Sequence, residues 1–376
     1  MSFARSKRIP ALVVVILIAV VTLMVIPYSQ GNSSNLKSIG HSITQQLSFS
    51  QSQSTYKKIE HQDKAFQVST VVYEKESSDN NKHSVLILSS IGSGKSYGGD
   101  RDFSKFLDVV RSIVNVRDSS KYEFSLGVQC NDENEFSVIK NAIDSVQDSL
   151  EPILSRIILV SAPKLEDQIG LSRGNRHNPK LQRLRRRLIA KSRNFLWTTA
   201  LKNEQYIFFM DADMISLTEN MVEYFVESDK DIVVPRVDTA GGIKDYDKNS
   251  WRGQRTKPTQ KQLDLMDAGK WNDWDYVPHD VNDQIYHFST FLKKDLVKHK
   301  GDLTYKFPLD SVGGAVLFAK SMVFKQGAIF PTSNIIGTTW DRSEGYDGIE
   351  TEGLCYLAKP LGFSCWGMPN LVATHI

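Results

Sequence analysis

Between residues 84 and 235 the chain repeats one pattern: a short apolar run, a polar turn, then a stretch with helical spacing. The runs at 84–90 (SVLILSS), 156–161 (RIILVS), 206–210 (YIFFM) and 231–235 (DIVVP) read as buried strands, and 122–128 (YEFSLGV) alternates as a strand does. Helical spacing marks 103–114, 135–150 and 181–201, the last begun just after Pro179, a residue favoured at the first helical position. Ser216-Leu-Thr-Glu219 matches a capping box and predicts a helix through Tyr224 and Phe225. Strands alternating with helices predict an α/β domain on a single, mostly parallel sheet flanked by helices. The stretch 56–73 gives a weaker signal for an early helix or strand, and no internal repeat is visible.

The N-terminus sets the compartment. Residues 9–26 (IPALVVVILIAVVTLMVI) carry no charge, and at about 1.5 Å per residue such a helix spans a hydrocarbon core. Arg5, Lys7 and Arg8 precede it, so the positive-inside rule keeps the N-terminus cytosolic. A cleaved signal peptide is the alternative, but Pro27-Tyr28-Ser29 makes a poor cleavage site. The expected organisation is a cytosolic tail at 1–8, a transmembrane signal anchor at 9–28, a Ser/Gln/Asn/Lys-rich stem at 29–80 and a lumenal domain at 81–376. The stem holds too few large apolar residues to offset its chain entropy. Asn32-Ser33-Ser34 is a glycosylation sequon close to the anchor.

A charge of +3, from 46 Lys and Arg against 43 Asp and Glu, argues against a nucleic-acid partner. The 3 cysteines (Cys130, Cys355, Cys365) lack zinc-ligand spacing. A bridge between Cys355 and Cys365 is compatible with an oxidising lumen; buried free thiols are the alternative.

Two motifs compete for a phosphate. Gly92-Ser-Gly-Lys-Ser96 follows a strand and precedes a helix, as a P-loop does, but Ser89 stands where the full pattern needs a glycine. A flexible loop, or a substrate-facing loop beyond a parallel strand, accounts for it better. Asp211-Ala-Asp213 leaves the apolar strand 206–210. Two carboxylates one residue apart at a strand exit suit a hard divalent cation that bridges the phosphates of a nucleotide-sugar and neutralises the departing diphosphate.

The more specific signal lies further on. Tyr206-Ile-Phe-Phe-Met-Asp-Ala-Asp213, Asp310-Ser-Val-Gly-Gly314, Gly327-Ala-Ile-Phe-Pro331, Ile349-Glu-Thr-Glu-Gly353 and Gly367-Met-Pro-Asn370 followed by His375 occur in that order. Together they resemble the fungal mannan polymerase family (the Anp/Van/Mnn group), Golgi type II α-mannosyltransferases with a GT-A fold. The likeness spans about residues 84–376. It implies GDP-mannose as donor, Mn²⁺ as the usual metal with Mg²⁺ as the alternative, and mannose chains of N-linked glycans as acceptor in mannan synthesis. Retention of configuration and hetero-oligomeric partners also follow from it. By motif, Asp211 and Asp213 become the metal and diphosphate site, and His375 the metal-liganding histidine. Arg185 becomes an arginine near the nucleotide-sugar, and Asp247 an aspartate on the sugar or acceptor side. The loop 92–99 and the segment Asp341-Arg-Ser-Glu-Gly-Tyr346 depart from the family pattern.

Several residues keep two readings. Arg183, Arg185, Arg186 and Arg187 are a solvated basic face, or include a bidentate donor to the diphosphate. Glu350 and Glu352 are helix-start charges, or one is a catalytic carboxylate; Asp310 divides the same way. Gly313 and Gly314 are turn glycines, or let a sugar approach the backbone. Trp251, Trp271 and Trp274 are core or loop anchors, or one stacks on a sugar. An isolated His375 would read as a fraying terminal residue. The rival functions are a non-catalytic or weakly catalytic subunit of a mannosyltransferase complex and, more remotely, a P-loop nucleotidase centred on Lys95.

Overall fold

The computed structural model describes residues 56–76, 81–165, 179–270, 279–290, 298–333 and 348–376. The proposed anchor, the sequon, Trp271, Trp274 and residues 341–346 lie outside these. Among the described residues no helix is long and apolar enough to cross a membrane.

In chain order the elements are β1 (Lys57–Asp63), β2 (Val68–Glu74), β3 (His83–Ile91), α1 (Phe103–Val114), β4 (Tyr122–Cys130), α2 (Glu133–Leu150), β5 (Arg156–Ser161), α3 (Pro179–Ala200), β6 (Tyr206–Met210) and β7 (Met214–Leu217). They continue with α4 (Met221–Glu227), β8 (Ile232–Thr239), β9 (Trp251–Arg255), α5 (Gln260–Asp267), β10 (Asp280–His287), β11 (Phe307–Leu309), β12 (Val316–Lys320), α6 (Ser321–Lys325), α7 (Thr351–Ala358) and β13 (Cys365–His375).

Among the described residues one 11-stranded sheet runs β1-β2-β5-β4-β3-β6-β12-β8-β13-β11, with β7 paired to β13; β9 and β10 form a separate two-stranded ribbon. Side chains alternate between two cores, as a period of two demands. Val85, Ile87, Phe208 and Met210 face α1, α2 and α4 through Phe106, Ile139 and Phe225. Leu86, Leu88, Ile207 and Phe209 face α3, α6 and α7 through Leu196, Phe324 and Leu354. Helices on both faces explain why these strands are apolar throughout. Asp102 caps α1 by accepting from Ser104 N and Lys105 N, and Asp132 caps α2 by accepting from Glu135 N.

Three expectations are corrected. The sheet is mixed, not mostly parallel. Strands β5, β4, β3 and β6 run parallel, but β12 enters antiparallel between β6 and β8, and β2 pairs antiparallel with β5. Side-chain pattern does not encode strand direction. The folded unit also begins before the expected boundary at residue 81. The hairpin β1–β2 joins the sheet, Tyr73 is buried, and Tyr56 Oη donates to Leu154 O at 2.7 Å. Finally, the capping box does not form. Ser216 is paired with Thr374 in the β7–β13 ladder. Helix α4 starts instead from Asn220, whose φ is 59° and whose side chain makes no cap; cross-strand pairing has outweighed a local cap.

A disulfide joins Cys355 of α7 to Cys365 at the start of β13, with Cα atoms 6.1 Å apart, and Cys130 is a buried thiol outside any disulfide.

Candidate active site

Strands β3, β4 and β6 end along one sheet edge, where ligands of open α/β sheets bind. A cleft of about 1370 Å³ opens there. The loop 92–96, Arg185 of α3, Asp211, Asp213, Asp247, Gly314, Glu350 and His375 all line it.

The two acidic residues at the exit of β6 have different partners. Asp211 turns toward α3, where Arg193 Nη2 donates to its Oδ1 at 2.9 Å. Burial pushes the Asp211 carboxyl up to about 7; the charges of Asp213 and Glu350 add to the rise, and Arg193 opposes it. Asp213 turns toward β13, and its Oδ2 lies 3.1 Å from His375 Nε2. That hydrogen bond raises the His375 pKa, against burial. His375 Nδ1 lies 2.8 Å from Ile376 O. A neutral ring that donates from Nδ1 leaves Nε2 as its ligand atom. Tyr246 stacks on the ring with centroids 5.0 Å apart. His375 does not fray: it pairs with Thr239 on β8 and Met214 on β7.

The other carboxylates separate by position. Asp247 Oδ2 accepts from Gly314 N at 3.0 Å and Ala315 N at 3.3 Å, so it braces the turn opposite Asp211. A Cβ at Gly313 would lie 2.0 Å from Asp247 Oδ2, which explains that glycine. Glu350 lines the cleft but is bound by Arg193 Nη1 at 2.5 Å, with Arg186 Nε 3.5 Å from its Oε2. Glu352 and Asp310 are not among the residues lining the cleft. Glu352 is buried between Arg186 and Arg255, each at 3.0 Å. Asp310 Oδ2 accepts from Gly253 N at 2.9 Å and fixes the β9 ribbon. Of their two readings, these contacts favour the structural one: both carboxylates hold neighbouring segments together. Trp251 is likewise a buried anchor.

Of the basic run, Arg185 lines the cleft, while Arg186 donates to Ile349 O at 2.8 Å and pairs with Glu350 and Glu352. Arg193 was missed in the sequence. Its signal was there: Arg186 and Arg193 lie two helical turns apart, on one face of α3.

The loop 92–96 is no phosphate cradle. Ser96 Oγ accepts from Gly92 N and from Ser93 N, each at 3.1 Å. Ser96 N closes a turn on Ser93 O at 2.8 Å. A P-loop instead aims such N–H groups at phosphate, and here α1 starts only at Phe103.

Asp211, Asp213 and His375, the expected metal ligands, all line the cleft. Two carboxylates and an imidazole suit a divalent cation. Among the described residues, however, no three His, Cys, Asp or Glu side chains converge as a metal cluster, and Asp211 is engaged by Arg193.

The Anp1 family profile matches residues 63–334. The chain is 28% identical over 256 residues to the mannan polymerase II complex anp1 subunit of Schizosaccharomyces pombe, covering 65% of this chain and 54% of that one. It is 28% identical over 210 residues to the mannan polymerase complex subunit MNN9 of Candida albicans, covering 54% and 52%. It is 26% identical over 310 residues to the mannan polymerase II complex ANP1 subunit of Saccharomyces cerevisiae, covering 75% and 58%. The chain thus spans about half the length of these relatives. Among solved structures, GalNAc-T7 with UDP, GalNAc and Mn²⁺ aligns at a TM-score of 0.41 and 11% identity, covering 79% of this chain and 44% of that one. Mouse xyloside xylosyltransferase 1 aligns at 0.34 and 10% identity, covering 75% and 82%. The match over residues 63–334, more than half of the sequence, identifies this chain as a member of the Anp1 family.

Proposed function

We propose that this chain is a GT-A-type, metal-dependent α-mannosyltransferase that moves mannose from GDP-mannose to mannose chains of N-linked glycans, with retention. One observation carries the reading: Asp211, Asp213, His375, Arg185 and Asp247, drawn from distant parts of the sequence, line a single cleft at the carboxyl edge of the parallel strands. The names of the relatives, subunits of mannan polymerase complexes, support the substrate class and an assembly with related subunits. The apolar run at residues 9–26 supports a single-pass anchor with a lumenal catalytic domain; the Golgi membrane is what the family resemblance implies.

In this reading Asp211, Asp213 and His375 hold Mn²⁺ (Mg²⁺ as the alternative), and the bound ion supplies countercharge for the departing diphosphate. Arg185 offers paired N–H donors to phosphate oxygens. Asp247 keeps the Gly314–Ala315 turn fixed across from Asp211, so the cleft wall does not have to reorganise around the sugar. Glu350, held by two arginines, anchors the wall rather than serving as a free base.

A second reading is a non-catalytic subunit of such a complex. It is favoured by the Arg193–Asp211 ion pair, which occupies one oxygen of an expected metal ligand. The test incubates the purified chain with GDP- and UDP-sugars and mannose oligosaccharides, with and without Mn²⁺. Mn²⁺-dependent mannose transfer from GDP-mannose is expected. Equal turnover of UDP-sugars overturns the donor assignment. Inactivity alone, with stimulation of a related subunit, establishes the second reading.

A further inference from the structure

We infer that Arg193 is a positioning residue: its guanidinium decides where the Asp211 carboxylate lies, and so whether Asp211 joins Asp213 and His375 around a divalent cation. The inference rests on the reading of the cleft as a metal-dependent site.

Four segments fix this side chain. Arg193 Nη2 donates to Asp211 Oδ1 at 2.9 Å and to Gly314 O at 2.8 Å. Its Nη1 donates to Glu350 Oε1 at 2.5 Å. The Phe330 ring lies 5.7 Å from the guanidinium carbon. A planar fork with contacts in three directions has one orientation, which a lysine could neutralise but not reproduce. The anchor on the far side is itself held. Glu350 has a φ of 66°, a conformation that a non-glycine residue keeps only when its surroundings over-determine it. Its amide donates to Pro331 O at 2.8 Å. Asp211 therefore meets a fixed donor, not a mobile one, and only one of its oxygens is taken in that contact.

Gly314 makes room for the fork. A Cβ there would lie 2.3 Å from Arg193 Nη1, 2.7 Å from Nη2 and 2.8 Å from Thr351 Cγ2. Gly314 is outside the left-handed region, so alanine fits its backbone. Gly314→Ala thus displaces the guanidinium without altering a charge.

The experiment titrates Mn²⁺ calorimetrically into wild type, Arg193→Lys and Gly314→Ala, each with GDP present, and follows thermal unfolding of the metal-free proteins. Both variants should bind Mn²⁺ about ten- to a hundredfold more weakly, as losses around a metal's ligands do, while still unfolding cooperatively. If Arg193→Lys does not fold, Gly314→Ala decides alone. Wild-type affinity in both variants overturns the inference and leaves the site reading intact. A loss in Gly314→Ala with Arg193→Lys fully competent assigns the effect to Thr351 and also overturns it. Wild type that binds no Mn²⁺ with GDP overturns the site reading, and this inference with it.

Discussion

Gly92-Ser-Gly-Lys-Ser96 and Asp211-Ala-Asp213 border the same cleft, and each is a turn of small and polar residues suited by type to a phosphate. They differ in where their polar groups are directed. In the first turn the Ser96 hydroxyl takes the amides of Gly92 and Ser93, so the loop is satisfied from within. In the second, Asp211 reaches α3 and Asp213 reaches β13. A turn satisfied by its own residues asks nothing of a ligand. A turn whose carboxylates depend on distant segments has contacts that a cation and a diphosphate can exchange.

The largest expected effect separates the buried ion pair behind the second turn from the carboxylate that faces the cleft. Arg193 and Glu350 are both buried. Arg193→Ala leaves Glu350 and Asp211 without their shared cation, and loss of one partner from a buried ion pair costs about 3–5 kcal/mol. Asp213→Ala should cost far less stability yet abolish Mn²⁺-dependent GDP binding and transfer. Urea unfolding beside Mn²⁺ titration reads both. Equal destabilisation by the two substitutions would erase the division between the structural Arg193–Glu350 pair and the ligand-facing Asp213.

How much of this could be read in advance follows the same line between local and distant contacts. The range 103–114 of α1, 156–161 of β5 and 206–210 of β6 coincide with the expected elements, because periodicity and caps are local. The antiparallel entry of β12 was not legible, since a short apolar run such as Val316–Lys320 carries no direction. Asp211, Asp213 and His375 were placed at one cleft through the motifs they belong to, and all three line it. Arg193 escaped because its partners Glu350 and Gly314 are remote in sequence. Asp310 and Glu352 show the opposite case: they sit inside recognisable motifs, but the motifs do not reveal that their oxygens meet Gly253 and Arg186 and Arg255.

An intermediate effect concerns His375 and pH. Its pKa is raised above the ordinary 6.5 by the hydrogen bond to Asp213. A histidine raised in the folded state contributes stability fully present below its unfolded pKa, and that contribution is lost as pH rises through the folded value. The metal-free chain should therefore lose this contribution as pH climbs from 6.5 upward. Mn²⁺ needs the neutral ring, so its affinity should rise across the same window. Melting temperatures against pH, with and without Mn²⁺, should show opposed slopes, and His375→Ala should flatten both while weakening Mn²⁺ binding. Parallel slopes would exclude His375 as a ligand.

The smallest effect is expected at the first turn. Lys95 occupies the position from which a P-loop lysine reaches phosphate. A P-loop works because its lysine acts together with free backbone amides, and here the amides of Gly92 and Ser93 are already bound by Ser96. Without that cradle the lysine lacks the backbone amides that a P-loop lysine acts with, so its own contribution to phosphate binding should be small. Lys95→Ala should thus change GDP-mannose affinity by less than about 1.4 kcal/mol, a factor of ten. Ser96→Ala sharpens the point, because it releases both amides while keeping Lys95. If Ser96→Ala tightens GDP binding and Lys95→Ala then weakens it in that background, the hydroxyl is what keeps this loop from phosphate. A loss larger than tenfold in Lys95→Ala alone would mean that the first turn contacts the diphosphate after all, and the contrast between the two turns would fail.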